Sequence, residues 1–189
     1  MHSKLRYMGW ASIVAGWLVI LLAISRNPWF VFTENAFSDL GSASANDPWL
    51  FNLGMILTGV MIVLYAVHLL EVSINKASRV GGASMALTGL MLMMIGSFPE
   101  GTLYHYTVSI WFFSQGALTV LIWGLALMGE TPWRKYGLIF TFMGIVGPII
   151  ALIVPWSSTA VAETYGILVL NLWVALMTRL TPRFTDVKR

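Results

Sequence analysis

The second apolar run of the chain, residues 48–70, reads PWLFNLGMILTGVMIVLYAVHLL and contains no Asp, Glu, Lys or Arg. An α-helix needs about 20 such residues to cross the hydrocarbon core of a bilayer. The apolar residues form a continuous run rather than alternating with polar ones, which favours a helix over a strand of a barrel. This run therefore predicts a transmembrane helix.

Five further runs have the same character. The predicted spans are residues 7–25, 48–70, 80–97, 106–128, 137–154 and 161–179. The composition agrees, because 58% of the residues are hydrophobic and 10% are charged, whereas soluble domains carry about 25% charged residues. The sequence predicts an all-α polytopic membrane protein with six transmembrane helices in a single domain, residues 1–189.

The basic residues are unevenly distributed between the two sides of these spans. The chain has 11 Lys and Arg residues, and only Arg26 lies in the connections between spans one and two, three and four, or five and six. The other ten (11 − 1) lie on the opposite side, and cytoplasmic loops carry such an excess. We therefore expect a cell-membrane protein with both termini in the cytoplasm. Basic residues in these positions anchor helix ends, so no nucleic-acid partner is expected.

The connection between the first two spans contains apolar residues as well as polar ones. Thr33 is placed to cap a short helix over Glu34–Leu40, with Gly41 as its stop. This predicts a short extracytoplasmic interfacial helix. It would act either as a lid that only packs on the bundle or as a gate that delivers Ser38 and Asp39 to a pocket.

Glu100 and His105 emerge together on the same outer side. The helix dipole disfavours an imidazolium at the start of span four, and a neutral imidazole can accept a proton or bind a metal. Ser109 and Gly116 continue the face of His105 toward the membrane centre at helical spacing. That face predicts either a groove open to the outer leaflet or close helix packing.

Span six adds Glu163 near its outer end and Asn171 near the membrane centre. An amide at that depth requires a partner, so Asn171 is expected either to bond with Gln115 or Thr119 or to line a ligand path. A metal ion would need Asp39, Glu100, His105 and Glu163 as ligands. No linear spacing enforces that set, so metal and cofactor remain open.

The remaining histidines do not join this set. His68 lies near the cytoplasmic end of span two, whereas His105 lies at the outer end of span four. His2 lies in the N-terminal tail. The chain contains no Cys, which excludes disulfides, zinc–thiolate sites and thiol catalysis.

Residues 35–42, NAFSDLGS, resemble the signature loop of the membrane proteins called domain of unknown function 998. The segment DPWLFNLG at residues 47–54 and the residues Phe98-Pro99-Glu100 with His105 extend the similarity. The resemblance implies a small six-helix protein of archaeal or bacterial type without an established activity. The positions of interest that it implies are Ser38, Asp39, Asn52, Glu100 and His105.

Three functions are consistent with these features. The first is an outward-facing site for a lipid or other amphipathic ligand, under the lid formed by the first connection. Its predicted binding residues are Ser38, Asn52, Ser109, Asn171 and Glu163. The second is a hydrolase or transferase acting on a lipid head group, with Asp39, Glu100 and His105 as catalytic residues.

The third is an accessory or scaffold subunit without pocket chemistry. Membrane lipids are the expected partners in every case, and small residues on several helices would also allow homo-oligomers. The functional hypotheses predict that Asp39→Ala disturbs ligand retention or activity more than Glu130→Ala.

Overall fold

A computed structural model describes the backbone of residues 3–186 and the side chains of residues 4–184. His2, Lys188 and Arg189 lie outside the described residues. Within that part of the chain there is no strand, and six helices are long and apolar enough to span a membrane. They are α1 Tyr7–Arg26, α2 Pro48–Glu71, α3 Lys76–Ser97, α4 His105–Met128, α5 Arg134–Ile153 and α6 Thr159–Asp186. The predicted six-helix class is therefore confirmed.

The start of α3 differs from the predicted span, which begins at residue 80. Asn75 caps the helix, because its side-chain oxygen accepts a hydrogen bond from the Ser78 backbone N–H at 2.9 Å. The Ser78 hydroxyl oxygen in turn accepts from the Asn75 backbone N–H, also at 2.9 Å. This reciprocal cap makes the polar turn that carries Lys76 and Arg79 helical, although its composition is that of a loop.

The end of α6 also extends beyond the predicted boundary at residue 179. Phe184 is fully buried, stacks on Trp123 at 6.3 Å and meets Trp133 edge-on at 5.0 Å between ring centroids. Pro182 has no N–H, so the helix loses one internal hydrogen bond at this point. The aromatic contacts of Phe184 hold the last turn in place despite that loss.

The helices follow one another around the bundle, and α6 returns to pack against α1, α4 and α5. Glycines allow the closest approaches. A Cβ on Gly59 of α2 would lie 2.6 Å from the carbonyl oxygen of Gly89, and a Cβ on Gly89 of α3 would lie 2.8 Å from that of Gly59. These two helices therefore touch backbone to backbone.

The bundle has two chemically different ends. The connections α1–α2, α3–α4 and α5–α6 meet at one end, which we call the acidic end because it carries Glu34, Asp39, Asp47, Glu100 and Glu163. The connections α2–α3 and α4–α5 meet at the other, the basic end, where Asn75 donates a hydrogen bond to Glu130 at 3.0 Å. The predicted separation of the basic residues between connections is therefore also a separation in space for the residues that the structure describes.

The α1–α2 connection contains a 3-10 helix, Phe37–Gly41, in place of the predicted helix over Glu34–Leu40. Ala36 rather than Thr33 precedes it, and the Asp39 carboxylate closes the turn by accepting from the Ala36 backbone N–H at 2.8 Å. Phe37 and Leu40 are 4% and 0% exposed. The turn packs on α1, α2 and α6. A short helix is therefore present in this connection, but it begins three residues later than predicted and has a different cap. Its location at the membrane interface stays a prediction.

Asn27 fixes both ends of this connection. Its side-chain amide donates to the carbonyl oxygens of Ala23 at 2.9 Å and Asn46 at 3.0 Å. Its side-chain oxygen accepts from the Trp29 indole at 3.0 Å and the Asn46 backbone N–H at 2.7 Å. A salt bridge of 2.9 Å between Arg26 and Asp47 lies beside it. The connection is thus a closed loop rather than a free strap.

Candidate functional site

Glu100 and His105 meet at the acidic end. The Glu100 Oε2 atom lies 3.0 Å from His105 Nε2 and accepts a hydrogen bond from the Ser38 hydroxyl at 2.9 Å. The backbone carbonyl of Phe98 accepts from His105 Nδ1 at 2.8 Å. A carbonyl can only accept, so Nδ1 carries a proton, and the contact between Nε2 and Oε2 requires a second one. His105 therefore bonds to the backbone through Nδ1 and meets the Glu100 carboxylate through Nε2.

The α3–α4 connection produces this contact by a tight reversal. Gly101 has φ of +89°, in the left-handed region where glycine has no steric penalty, and no atom lies near the position of a Cβ. The turn brings Glu100 back over His105, the first residue of α4. The Ser109 hydroxyl, one helical turn below, lies 3.3 Å from His105 Nε2. Ser38, Glu100, His105 and Ser109 form what we call the Glu–His cluster.

Glu163 approaches the same region from α6. Its Oε2 atom accepts a hydrogen bond from the Phe37 backbone N–H at 2.8 Å, so α6 holds the start of the 3-10 helix. The carboxylates of Asp39 and Glu100 lie near enough to repel that of Glu163. The structure therefore brings the predicted residues Ser38, Glu100, Glu163 and His105 to one end of the bundle.

Asp39 makes no hydrogen bond to Glu100 or His105 among the described residues. Its Oδ2 atom is bonded to the Ala36 backbone N–H, and the neighbouring Ser38 makes the contact with Glu100. Asp39 thus shapes the turn that presents Ser38. Within residues 4–184, no group of three or more His, Cys, Asp or Glu side chains is arranged to hold a metal ion. The four-residue metal set is therefore not assembled.

Asn52 lies directly beneath the 3-10 helix. Its amide nitrogen donates to the Gly41 carbonyl at 2.9 Å, while its Oδ1 atom is buried and has no hydrogen-bond partner among the described residues. A Cβ on Gly41 would lie 2.3 Å from Asn52 Oδ1 and 2.8 Å from the ring of Phe51. Glycine at the end of the Ser-Asp-Leu-Gly motif therefore allows the close approach of this turn to the side chains of α2.

Asn171 does not join the cluster. It lines a small cavity of about 90 Å³ in the middle of the bundle, together with Ser12, Thr58 and Thr88. Its predicted hydrogen bond is wrong, because Thr119 donates to the carbonyl of Gln115 at 2.8 Å and lies 2.9 Å from the Ser84 hydroxyl. Asn171 has no side-chain hydrogen bond to any residue of the described chain.

The face of α4 that continues from His105 is used for packing. Phe112, Gly116 and Thr119 are buried, and a Cβ on Gly116 would lie 2.8 Å from the side chain of Leu170 on α6. Of the two predicted uses of this face, close helix packing is the one observed. The open space lies instead on the neighbouring face of α4.

A groove of about 610 Å³ runs between the acidic-end halves of α3 and α4, and its lining is almost entirely apolar. Its walls include Leu87, Met91, Met94, Phe98, Tyr104 and Trp111. No residue of the α1–α2 connection lines it. Sequence reasoning missed this groove, because the rotation of each helix about its axis decides which residues face the gap. It also missed Asn27, for which the only signal was a polar residue two positions after an apolar run.

A family model described as "Protein of unknown function (DUF998)" matches residues 10–180. The chain belongs to the DUF998 family. This confirms the resemblance in the Ser-Asp-Leu-Gly loop, and the match covers the whole Glu–His cluster, Asn52, Glu163 and both walls of the groove. Neither a curated protein nor a solved structure matches this DUF998 chain.

Proposed function

We propose that this DUF998 protein binds the acyl chain of a lipid in the groove between α3 and α4. The observation that carries the proposal is the groove itself, with about 610 Å³ of space and an apolar lining. Small-molecule sites in proteins have volumes of about 300–1,000 Å³ and mostly apolar walls. Both walls belong to helices long enough to span a membrane. In a bilayer such helices are surrounded by lipid acyl chains, so an acyl chain is the apolar molecule that can enter the groove.

The alternatives have weaker support. A hydrolase or transferase of the predicted kind needs Asp39, Glu100 and His105 to converge, whereas Asp39 is bonded to the backbone and the His105 side chain is only 8% exposed. A scaffold would present a tight bundle with a flat outer surface, and a groove between two helices departs from that expectation. Ligand binding is therefore the function that we propose.

Filling the groove should reduce binding. Leu87→Trp places a bulky ring in the wall formed by α3, so an acyl chain would lose its contacts. We expect roughly tenfold weaker labelling of α3 and α4. A tenfold change in affinity corresponds to about 1.4 kcal/mol of binding free energy. The probe is a diacylglycerol with a diazirine in one acyl chain, presented in dodecyl maltoside micelles, and the labelled peptides are identified by mass spectrometry.

Leu90→Trp is the matched control. Leu87 and Leu90 are on the same helix and are 45% and 42% exposed, but only Leu87 lines the groove. Labelling in Leu90→Trp should equal that of the unmodified protein. If both variants retained full labelling, or if labelling were spread evenly over all six helices, the probe would be labelling the protein from the surrounding annular lipid. The proposed function would then be wrong.

We also propose that the acidic end faces the cell exterior and the basic end the cytoplasm. The support is the separation of ten basic residues from Arg26 among the 11 in the chain. The chain contains no Cys, so Ser44→Cys and Lys135→Cys each introduce a single reporter thiol at an exposed position. On intact cells, a membrane-impermeant maleimide should modify residue 44 directly and residue 135 only after permeabilisation. The reverse pattern would contradict this orientation.

A further inference from the structure

The groove closes at the acidic end with the loop that carries Glu100. Phe98 and Tyr104 both line the groove, and their rings meet edge-on with centroids 5.4 Å apart. They are also the first and last residues of the α3–α4 connection. Glu100 lies between them in the sequence, so a head group attached to a chain in the groove would emerge beside this connection.

One oxygen of Glu100 remains available there. Oε2 is engaged by Ser38 and His105, whereas no residue of the part of the chain that the structure describes donates to Oε1. The Glu100 side chain is 39% exposed. A carboxylate oxygen only accepts hydrogen bonds, and its strongest partners are cationic donors.

The charges around this mouth favour the same partner. The acidic end carries five acids, Glu34, Asp39, Asp47, Glu100 and Glu163, against a single Arg or Lys, Arg26. Arg26 is already paired with Asp47 at 2.9 Å. An anionic head group would therefore meet like charge without a free basic partner.

Resting on the proposed acyl-chain site, we infer that the groove selects a lipid whose head group carries an ammonium and no net negative charge, with the ammonium at Glu100 Oε1. The chain of the lipid occupies the apolar groove, and the α3–α4 connection recognises its head. A Gln at position 100 keeps the size and one acceptor oxygen but removes the charge.

The test compares two diazirine-labelled phospholipids with identical acyl chains in dodecyl maltoside micelles. One is phosphatidylethanolamine, which carries an ammonium and no net charge, and the other is the anionic phosphatidylglycerol. We expect groove labelling of the unmodified protein to favour phosphatidylethanolamine by about tenfold. This ratio corresponds to a difference of about 1.4 kcal/mol in binding free energy between the two lipids. Glu100→Gln should bring this ratio close to one, whereas Glu34→Gln, at an exposed acid of the same end, should leave it unchanged.

The outcomes separate the two proposals. Equal labelling by both phospholipids, with the groove still labelled by diacylglycerol, would overturn the head-group inference and leave the acyl-chain site intact. Absence of groove labelling by all three probes would contradict the proposed function itself. The comparison on the unmodified protein needs no substitution, so it decides the inference even if Glu100→Gln does not fold.

Discussion

Replacing Gly96 by Ala is expected to lower the free energy of unfolding by about 3 kcal/mol. A Cβ at position 96 would lie 2.2 Å from the carbonyl oxygen of Asn52 and 2.9 Å from the side chain of Ile56. The first of these atoms belongs to the backbone of α2, so relief requires α2 and α3 to separate. Thermal unfolding in detergent, followed by circular dichroism, should show a fall in Tm of roughly 6–12 °C.

The sign of this effect makes the test sharp. Ala has a higher helix propensity than Gly by about 1 kcal/mol, so a residue at position 96 without tertiary contacts would be stabilised by the change. Gly129→Ala is the matched control, because no atom lies within 4 Å of the position of its Cβ. An unchanged or raised Tm in Gly96→Ala would show that α2 and α3 are less closely packed than described.

Replacing Asn27 by Ala should cost about 3–4 kcal/mol, since it leaves several buried polar groups without partners. Asn27 is 1% exposed and makes four hydrogen bonds within the α1–α2 connection. Alanine removes all four, including the fully buried bond to the Ala23 carbonyl. Both a lower Tm and faster proteolysis of the α1–α2 connection in detergent are expected.

Asn46→Ala is the control for this prediction. Its exposed side chain donates only to the Arg26 carbonyl at 3.1 Å, and its backbone bonds with Asn27 are kept. We expect a change within about 0.5 kcal/mol. A Tm for Asn27→Ala equal to that of Asn46→Ala would mean that the buried amide network contributes nothing to the stability of the connection.

The six spans could be predicted because the thickness of a bilayer acts on each run of sequence separately. The differences lie where tertiary contacts decide the boundary. Lys76 begins α3 because Asn75 and Ser78 cap each other, and α6 reaches beyond residue 179 because Phe184 has two tryptophan partners. Neither pairing is visible in the local apolar pattern.

The candidate site could be predicted only in part. Glu100 and His105 are close in sequence and leave the bundle at the same end, so their contact follows from topology. The bond of Asp39 to Ala36 depends on the 3-10 geometry of a single turn, which residue types alone do not determine. The predicted comparison of Asp39→Ala with Glu130→Ala is less clean than expected, because the Glu130 carboxylate accepts a hydrogen bond from Asn75. Glu34 is exposed and is therefore the better control position.

The way in which the α1–α2 connection is fastened has a consequence for the route a ligand takes. Glu163, Glu100 and Asn52, on three different parts of the bundle, each hold it by a hydrogen bond. Four of its own side chains are also buried, those of Asn27, Phe37, Ser38 and Leu40. Entry from the aqueous phase past this connection would require all of these bonds to break together. The gap between α3 and α4 opens sideways instead, so molecules would arrive by lateral diffusion within the bilayer. Occupancy would then follow the mole fraction of the lipid in the membrane rather than its concentration in water.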